Sequence, residues 1–273
     1  MEQNPNTPRT LLIVGATGSV GRHVVAEAVR QGYDTHALVR ESSRTSGLDP
    51  AARRVTGELT DASTLKEAVA DIDAVIFTHG SSYGDAAAAE AVDHGAVKNV
   101  LQALGGRRVR IGLMTAIGVT RRGSTHDWKR RSERLIRASG NDYTIVRPGW
   151  FDYNDDGQLE ITMLQGDTRH AGSPADGVIG RHQIARVLVD SLASDAANHK
   201  TFELVAERGP AQETLEPVFA DLDQDPAGLL DGVRDQANMP ADAEPEPARQ
   251  DLNRVVAGSG VFPTSRSLRS PRQ

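Results

Sequence analysis

Eleven residues near the start, Leu11-Leu12-Ile13-Val14-Gly15-Ala16-Thr17-Gly18-Ser19-Val20-Gly21, constrain the fold more than any other stretch. An apolar run breaks into three glycines and then into a helical pattern, which predicts a strand, a tight turn and a helix start. Gly15 permits the turn, Gly18 removes a side chain where backbone N–H groups can approach a pyrophosphate, and Gly21 lets helix and strand pack closely. The phosphates would rest on the positive helix N-terminus, with Thr17, Ser19 and Val20 in the same turn. A glycine triplet alone is a weak signal. The strand before it, and Val24, Val25, Ala28 and Val29 at helical spacing after it, turn it into a dinucleotide site.

A chain of 273 residues accommodates one sizeable domain with a small appendage. Its 31 basic and 37 acidic side chains leave a net charge of −6, which excludes the basic surplus of a nucleic-acid binder. The short clusters Arg107-Arg108, Arg121-Arg122 and Lys129-Arg130-Arg131 read as solvated faces. Without cysteine there is no disulfide, thiolate metal site or thiol nucleophile. No histidine spacing resembles a zinc helix, so no metal is expected. The first eight residues lack the apolar core of a signal peptide. No stretch approaches the ~20 apolar residues that span a bilayer. A cytoplasmic protein is expected, acting on a small molecule as a monomer or weak homo-oligomer, with no nucleic-acid or membrane partner.

Along the chain, Tyr33 to Arg40 reads as a second strand. An acidic residue at its end would suit the free ribose of NAD, whereas the guanidinium of Arg40 suits the 2′-phosphate of NADP, so NADP(H) is favoured over NAD(H). Val55 to Asp61, with Glu58 and Leu59, is a short extended segment placed over the adenine end. Ala74 to Phe77 is a buried strand leading into Thr78, His79 and Gly80, small and polar residues where a ligand backbone is expected. A helix from about Ala86 to Leu104 precedes a strand over 109–116 with Thr115 at its carboxyl end. A second helix, from about Asp127 to Ser139, precedes a strand closed by Pro148 and followed by Gly149 and Trp150. This alternation predicts an α/β fold, a Rossmann-type doubly wound parallel sheet covered on both faces.

Beyond Trp150 the pattern loosens into a strand near 159–163, a helix near 184–189 and a strand over 201–205, read as a small substrate lobe walling one side of the cleft. Residues 9–210 are thus expected to form the NAD(P)-binding domain, including a lobe at about 151–210. Residues 211–273 form an acidic, proline-containing extension. It is poor in large apolar residues, so it is expected to be mobile and removable after about Gly209, apart from short helical turns.

The turn GATGSVG, Arg40, the segment GELTD, the strand ending LMTAIGV and the block WKRRSERLIRASGNDYTIVRPGWF together resemble the atypical short-chain dehydrogenase/reductases, in particular the NmrA-like NAD(P)H-binding branch. The resemblance covers about Thr10 to Glu207. It implies an NADP(H) site extending from the glycine turn to Pro148, Gly149 and Trp150, and carbonyl reduction with a tyrosine acid whose pKa is lowered by a lysine four residues on. Lys129 matches that lysine, but Thr125 stands where the tyrosine belongs. Thr115 resembles the family's strand-four serine or threonine, which would hydrogen-bond substrate or nicotinamide. Substitute acids are His79, Tyr83, His126 and Tyr153, with His126 and Tyr153 first. Two functions follow: hydride transfer to a small carbonyl or quinone-like acceptor, or a catalytically silent NADP(H) sensor that acts through a macromolecular partner.

Overall fold

The structure, a computed structural model, describes residues 8–259 apart from 82, 83 and 124; Tyr83 therefore lies outside the described residues. Its centre is an eight-stranded sheet in the order β3-β2-β1-β4-β5-β6-β10-β8. The strands are β1 (Thr10–Val14), β2 (Asp34–Val39), β3 (Arg53–Thr56), β4 (Ala74–Phe77), β5 (Arg110–Met114), β6 (Tyr143–Pro148), β8 (Glu160–Leu164) and β10 (Lys200–Glu207). Every neighbouring pair is parallel except β10 with β8. The short strands β7 (Trp150–Phe151) and β9 (Val178–Ile179) pair separately.

The reason for two covered faces is legible in β1. Leu11 and Ile13 point into one apolar cluster, with α1 (Gly21–Arg30) and α5 (Arg181–Ala193), while Leu12 and Val14 point into another, with α3 (Gly95–Leu104) and α4 (His126–Ala138). All four side chains are fully buried, so the strand reads as one apolar run instead of an alternating one. The helix preceding β5 is not uniform. It begins as α2 (Ala86–Ala88), passes through a π-helical turn at Ala89–His94, and continues as α3.

Much of the segment read as a small substrate lobe within the domain is built into this frame. β10 pairs with β6 and α5 packs in the same cluster as α1, so these elements extend the main layers. What remains on the cleft side is the β7–β9 ribbon and the loop before β9.

The expectation of a mobile tail does not hold for residues 211–259. Leu215, Phe219, Leu230, Met239 and Ala248 are buried, in a segment that includes α6 (Glu216–Ala220) and α7 (Glu246–Ser259). The cause is electrostatic as well as apolar. α4 turns Arg130, Arg134 and Arg137 to one side, and the tail brings carboxylates to them. Asp231 takes a two-pronged bond from Arg134 at 2.9 and 2.6 Å and one from Arg130 at 3.2 Å. Glu244 accepts from Arg131 at 2.6 Å. Fully buried Arg147 is held from two sides, by Glu133 at 3.0 and 2.7 Å and by Asp235 at 2.7 Å through both oxygens. The reading of Lys129-Arg130-Arg131 as a solvated face is corrected accordingly, since Arg130 is fully buried.

One member of this network titrates near neutrality. Burial pushes the Glu203 carboxyl up to about 7, against the opposing pull of Arg147 at 3.4 Å. Because the folded form then holds a proton that the unfolded form has released, Glu203 makes stability fall as pH rises from about 4.5 to about 7. Asp235 acts oppositely: despite burial, its bonds to Arg147 hold its pKa well below the ordinary 3.8, so its contribution is lost only in acid below that value. Glu203→Gln should therefore flatten the decline between pH 4.5 and 7 in melts run across pH, leaving the acid limb in place. An unchanged decline would show that Glu203 titrates at its ordinary pKa.

Candidate functional site

The strand order reverses between the parallel neighbours β1 and β4, since the chain builds outward from β1 through β2 to β3 on one side and from β4 through β5 to β6 on the other, and a ligand crevice is expected at the carboxyl ends there. A cleft of about 810 Å³ opens at that place. One end is the glycine turn. Gly15 has φ +84°, and a Cβ there would stand 2.6 Å from the His79 amide nitrogen. A Cβ on Gly21 would collide with the Gly15 carbonyl, so this glycine serves the packing of α1 and does not line the cleft. A Cβ on Gly18 would meet only the Gly15 oxygen, at 3.1 Å, which leaves its other sides open. Helix α1 has no side-chain cap and no acidic residue in its first turn, so its positive end carries no side-chain counter-charge, although the Arg22 amide already donates to the Gly18 carbonyl at 3.2 Å. Thr78 ties the end of β4 to this turn by donating to the Val14 carbonyl at 3.0 Å.

The rest of the cleft brings together most of the expected residues. Gly15, Thr17, Gly18, Ser19 and Val20 line it beside exposed Arg40 at the end of β2. Glu58 and Leu59 line the same region, and Thr78, His79, Gly80, Thr115 and Lys129 line the other end. These residues fit a dinucleotide: an open glycine turn at a helix N-terminus, a guanidinium at one end and an ammonium at the other.

Pro148, Gly149 and Trp150 instead line a second cavity of about 650 Å³, together with His126. Ala116 and Phe151 line both spaces, so the second opens beside the Lys129 end of the first. Tyr153 lines neither; it is 63% exposed and stacks edge-on against Trp150. The geometry thus gives it no place in proton transfer. Thr125 also lines neither space, and its side chain caps nothing at the start of α4.

Two interactions that sequence reasoning missed set the chemistry at this end. Lys129 Nζ donates to Asp93 Oδ1 at 2.9 Å, and Asp93 also accepts from the Ser81 amide at 2.9 Å and the Ser81 hydroxyl at 2.7 Å. Burial would raise the Asp93 pKa, but the Lys129 charge and the Ser81 bonds outweigh it and hold the carboxyl below its ordinary value. Asp93 comes from the π-helical turn, a distortion that recurs at functional sites. Its signal in the sequence was an acidic residue on an apolar stripe, in step with Val97, Val100 and Leu104. The second interaction is at Thr115, whose hydroxyl donates to Glu133 Oε1 at 2.7 Å. That hydroxyl has spent its one proton and can only accept from a ligand.

The histidines are poor acids here. Burial and the Lys129 charge push His79 down to about 4, and the same two causes lower His126. Both are neutral imidazoles at neutral pH. Of the cleft-lining groups proposed for proton transfer, Lys129 alone carries a positive charge.

Comparison with known proteins agrees with this geometry. The family model described as NAD(P)H-binding matches residues 15–195. The photosystem II assembly factor Ycf39 of Cyanophora paradoxa is 27% identical over 205 residues, covering 73% of this chain and 64% of that protein. The chain thus spans somewhat under two thirds of that relative's length. Among solved structures, the oxidoreductase YlbE from Lactococcus lactis superposes with a TM-score of 0.63 at 16% identity, over 78% of this chain and 96% of that one. A short-chain dehydrogenase/reductase from Veillonella parvula, solved in complex with NADP, gives 0.56 at 14%, over 72% and 94%. With a matched segment running from the glycine turn through α5, the chain belongs to the NAD(P)H-binding family.

Proposed function

We propose that the protein is an NADP(H)-dependent oxidoreductase that reduces a small carbonyl or quinone-like acceptor. The observation that carries this reading is the continuity of the two cavities: the cleft runs from the glycine turn and Arg40 to Lys129, and there meets a second space through Ala116 and Phe151. NADPH, when bound, supplies the hydride. Arg40 would hold its 2′-phosphate, the open N-terminus of α1 its pyrophosphate, and Lys129 its ribose near the reacting end. Lys129 also faces the oxygen on which negative charge develops and donates a proton to it, taking a replacement from solvent. Asp93 positions that ammonium. Thr115, with its proton committed to Glu133, contributes an acceptor only.

NADPH should stabilise the protein more than NADH at equal concentration in matched thermal melts, NADPH itself adding ~2.7 kcal/mol over the unliganded protein at about a hundred times its dissociation constant. Arg40→Ser should reduce the NADPH shift to that of NADH. Equal shifts for the two cofactors in the wild type would remove Arg40 from its assigned role.

A second reading has its own support: Thr125 replaces the tyrosine, Lys129 is already engaged by Asp93, and a relative is named as an assembly factor. In that reading the protein binds NADP(H) and signals its state to a protein partner without turnover.

A further inference from the structure

The second cavity has a composition that hydride transfer does not by itself require. Arg121, Arg122 and Arg169 line it, with Trp150 and Phe151 as aromatic walls and Asp176 as a carboxylate. The charges are not equally available. Arg122 is held by Glu244 at 3.0 Å and lies 3.6 Å from Asp127. Asp176 is turned to its own loop, accepting from the backbone N–H groups of Ala171 at 2.6 Å, Gly172 at 2.7 Å and Ser173 at 3.3 Å. Arg121 and Arg169 are different, because the bonds recorded for them go to main-chain carbonyls: Arg121 to His170 at 3.4 Å and Arg169 to Asp176 at 3.3 Å. Each keeps most of its five N–H donors for another acceptor.

The loops that carry these two arginines are pinned together from behind. Buried Asp167 accepts from the amides of Gly118 at 2.6 Å and Thr120 at 2.7 Å, and its own amide donates to Glu203 at 3.0 Å. Asp167 sits at φ +48°, a backbone conformation uncommon for a residue with a side chain, which the three bonds hold in place. Arg121 is one residue beyond Thr120 and Arg169 two beyond Asp167. Two guanidinium groups are thus presented on cross-braced loops to a space with aromatic walls, next to the Lys129 end of the cofactor cleft.

We infer that this cavity selects acceptors carrying a carboxylate, which Arg121 and Arg169 bind while the apolar body of the substrate lies against Trp150 and Phe151. The substrate class is an anionic carbonyl compound with a flat apolar body, and Arg121 and Arg169 are its specificity-determining residues. A neutral analogue of the same shape leaves both guanidinium groups without their partner, and charged hydrogen bonds of this kind separate ligands by tenfold or more. The inference rests on the proposed reductase reading for its orientation toward the reacting end, and on the cavity alone for its charge preference.

The test is calorimetric titration of the full chain with para-formylbenzoate and with its neutral methyl ester, each with and without saturating NADP+, where no turnover occurs. The expected result is that the acid binds at least about tenfold more tightly than the ester, and that Arg121→Gln/Arg169→Gln removes the difference while NADPH affinity stays the same. Equal binding of acid and ester, failure of both to bind, or a preference that survives the double substitution would overturn the inference. Failure of NADPH to bind, with the acid still preferred, would instead overturn the reductase reading and leave the anion site standing.

Discussion

Truncation after Gly209 should abolish cooperative melting. The cut strips Phe219 from Phe202, whose rings lie 6.0 Å apart, and removes the carboxylates of Asp225, Asp231, Asp235 and Glu244 from six arginines. Taking one partner from a buried ion pair costs ~3–5 kcal/mol, because the remaining charge is left without water or counterion. Several such losses exceed the ~5–15 kcal/mol that holds an ordinary domain together. Arg147 is the sharpest case, since it would lose both oxygens of Asp235 and keep only Glu133 and, at 3.4 Å, Glu203 inside the sheet's covering layer. Asp235→Asn in the full chain isolates that term and should lower stability by ~3–5 kcal/mol in denaturant melts. A truncated protein that still melts cooperatively near the wild-type temperature would show that the docked segment contributes nothing to the core.

The second large effect is on turnover. Lys129→Ala should lower kcat by about a hundredfold or more, comparable to loss of a preorganised donor at a developing oxyanion, while NADPH affinity falls by less than about tenfold. Asp93→Asn keeps an acceptor for the ammonium but removes the charge that fixes it, so its loss should be intermediate and appear mainly in kcat. Thr125→Val should change neither parameter, since that side chain lines neither cavity and caps nothing. A large rate loss in Thr125→Val at unchanged affinity would restore to Thr125 the role that its position in the resemblance suggests.

The sheet, the glycine turn and the residues along the cofactor cleft were legible because each has a local cause. Four buried apolar residues in a row make β1, and Gly15, Gly18 and Gly21 form a turn whose spacing is visible in the sequence even though Gly15 also packs against His79. The tail was misread for a physical reason. Acidic, proline-containing sequence with few large apolar residues resembles a solvated chain, and what docks it is pairing with arginines about a hundred residues away. Its signal was on the other partner: Arg130, Arg134 and Arg137 recur on one side of a helix, an arrangement that needs counter-charge once that side is covered. Asp93 and Glu133 escaped for a related reason. Both are buried on their helices, and the identity of their partners, Lys129 and Arg147, is set by how separate elements cross. Tyr153 was placed near the site by chain position alone, and the β7–β9 ribbon turns it outward.

The account stands most directly on whether hydrogen moves from cofactor to acceptor. NADPH deuterated at its transferable position should be incubated with the full chain and para-formylbenzoate, and the alcohol product analysed by mass spectrometry. The account predicts deuterium in the alcohol carbon at a rate well above the protein-free control, and its loss in Lys129→Ala. NADPH bound tightly, with no deuterium transferred above that control to this acceptor or to a panel of neutral aldehydes and quinones, would contradict it and leave the sensor reading.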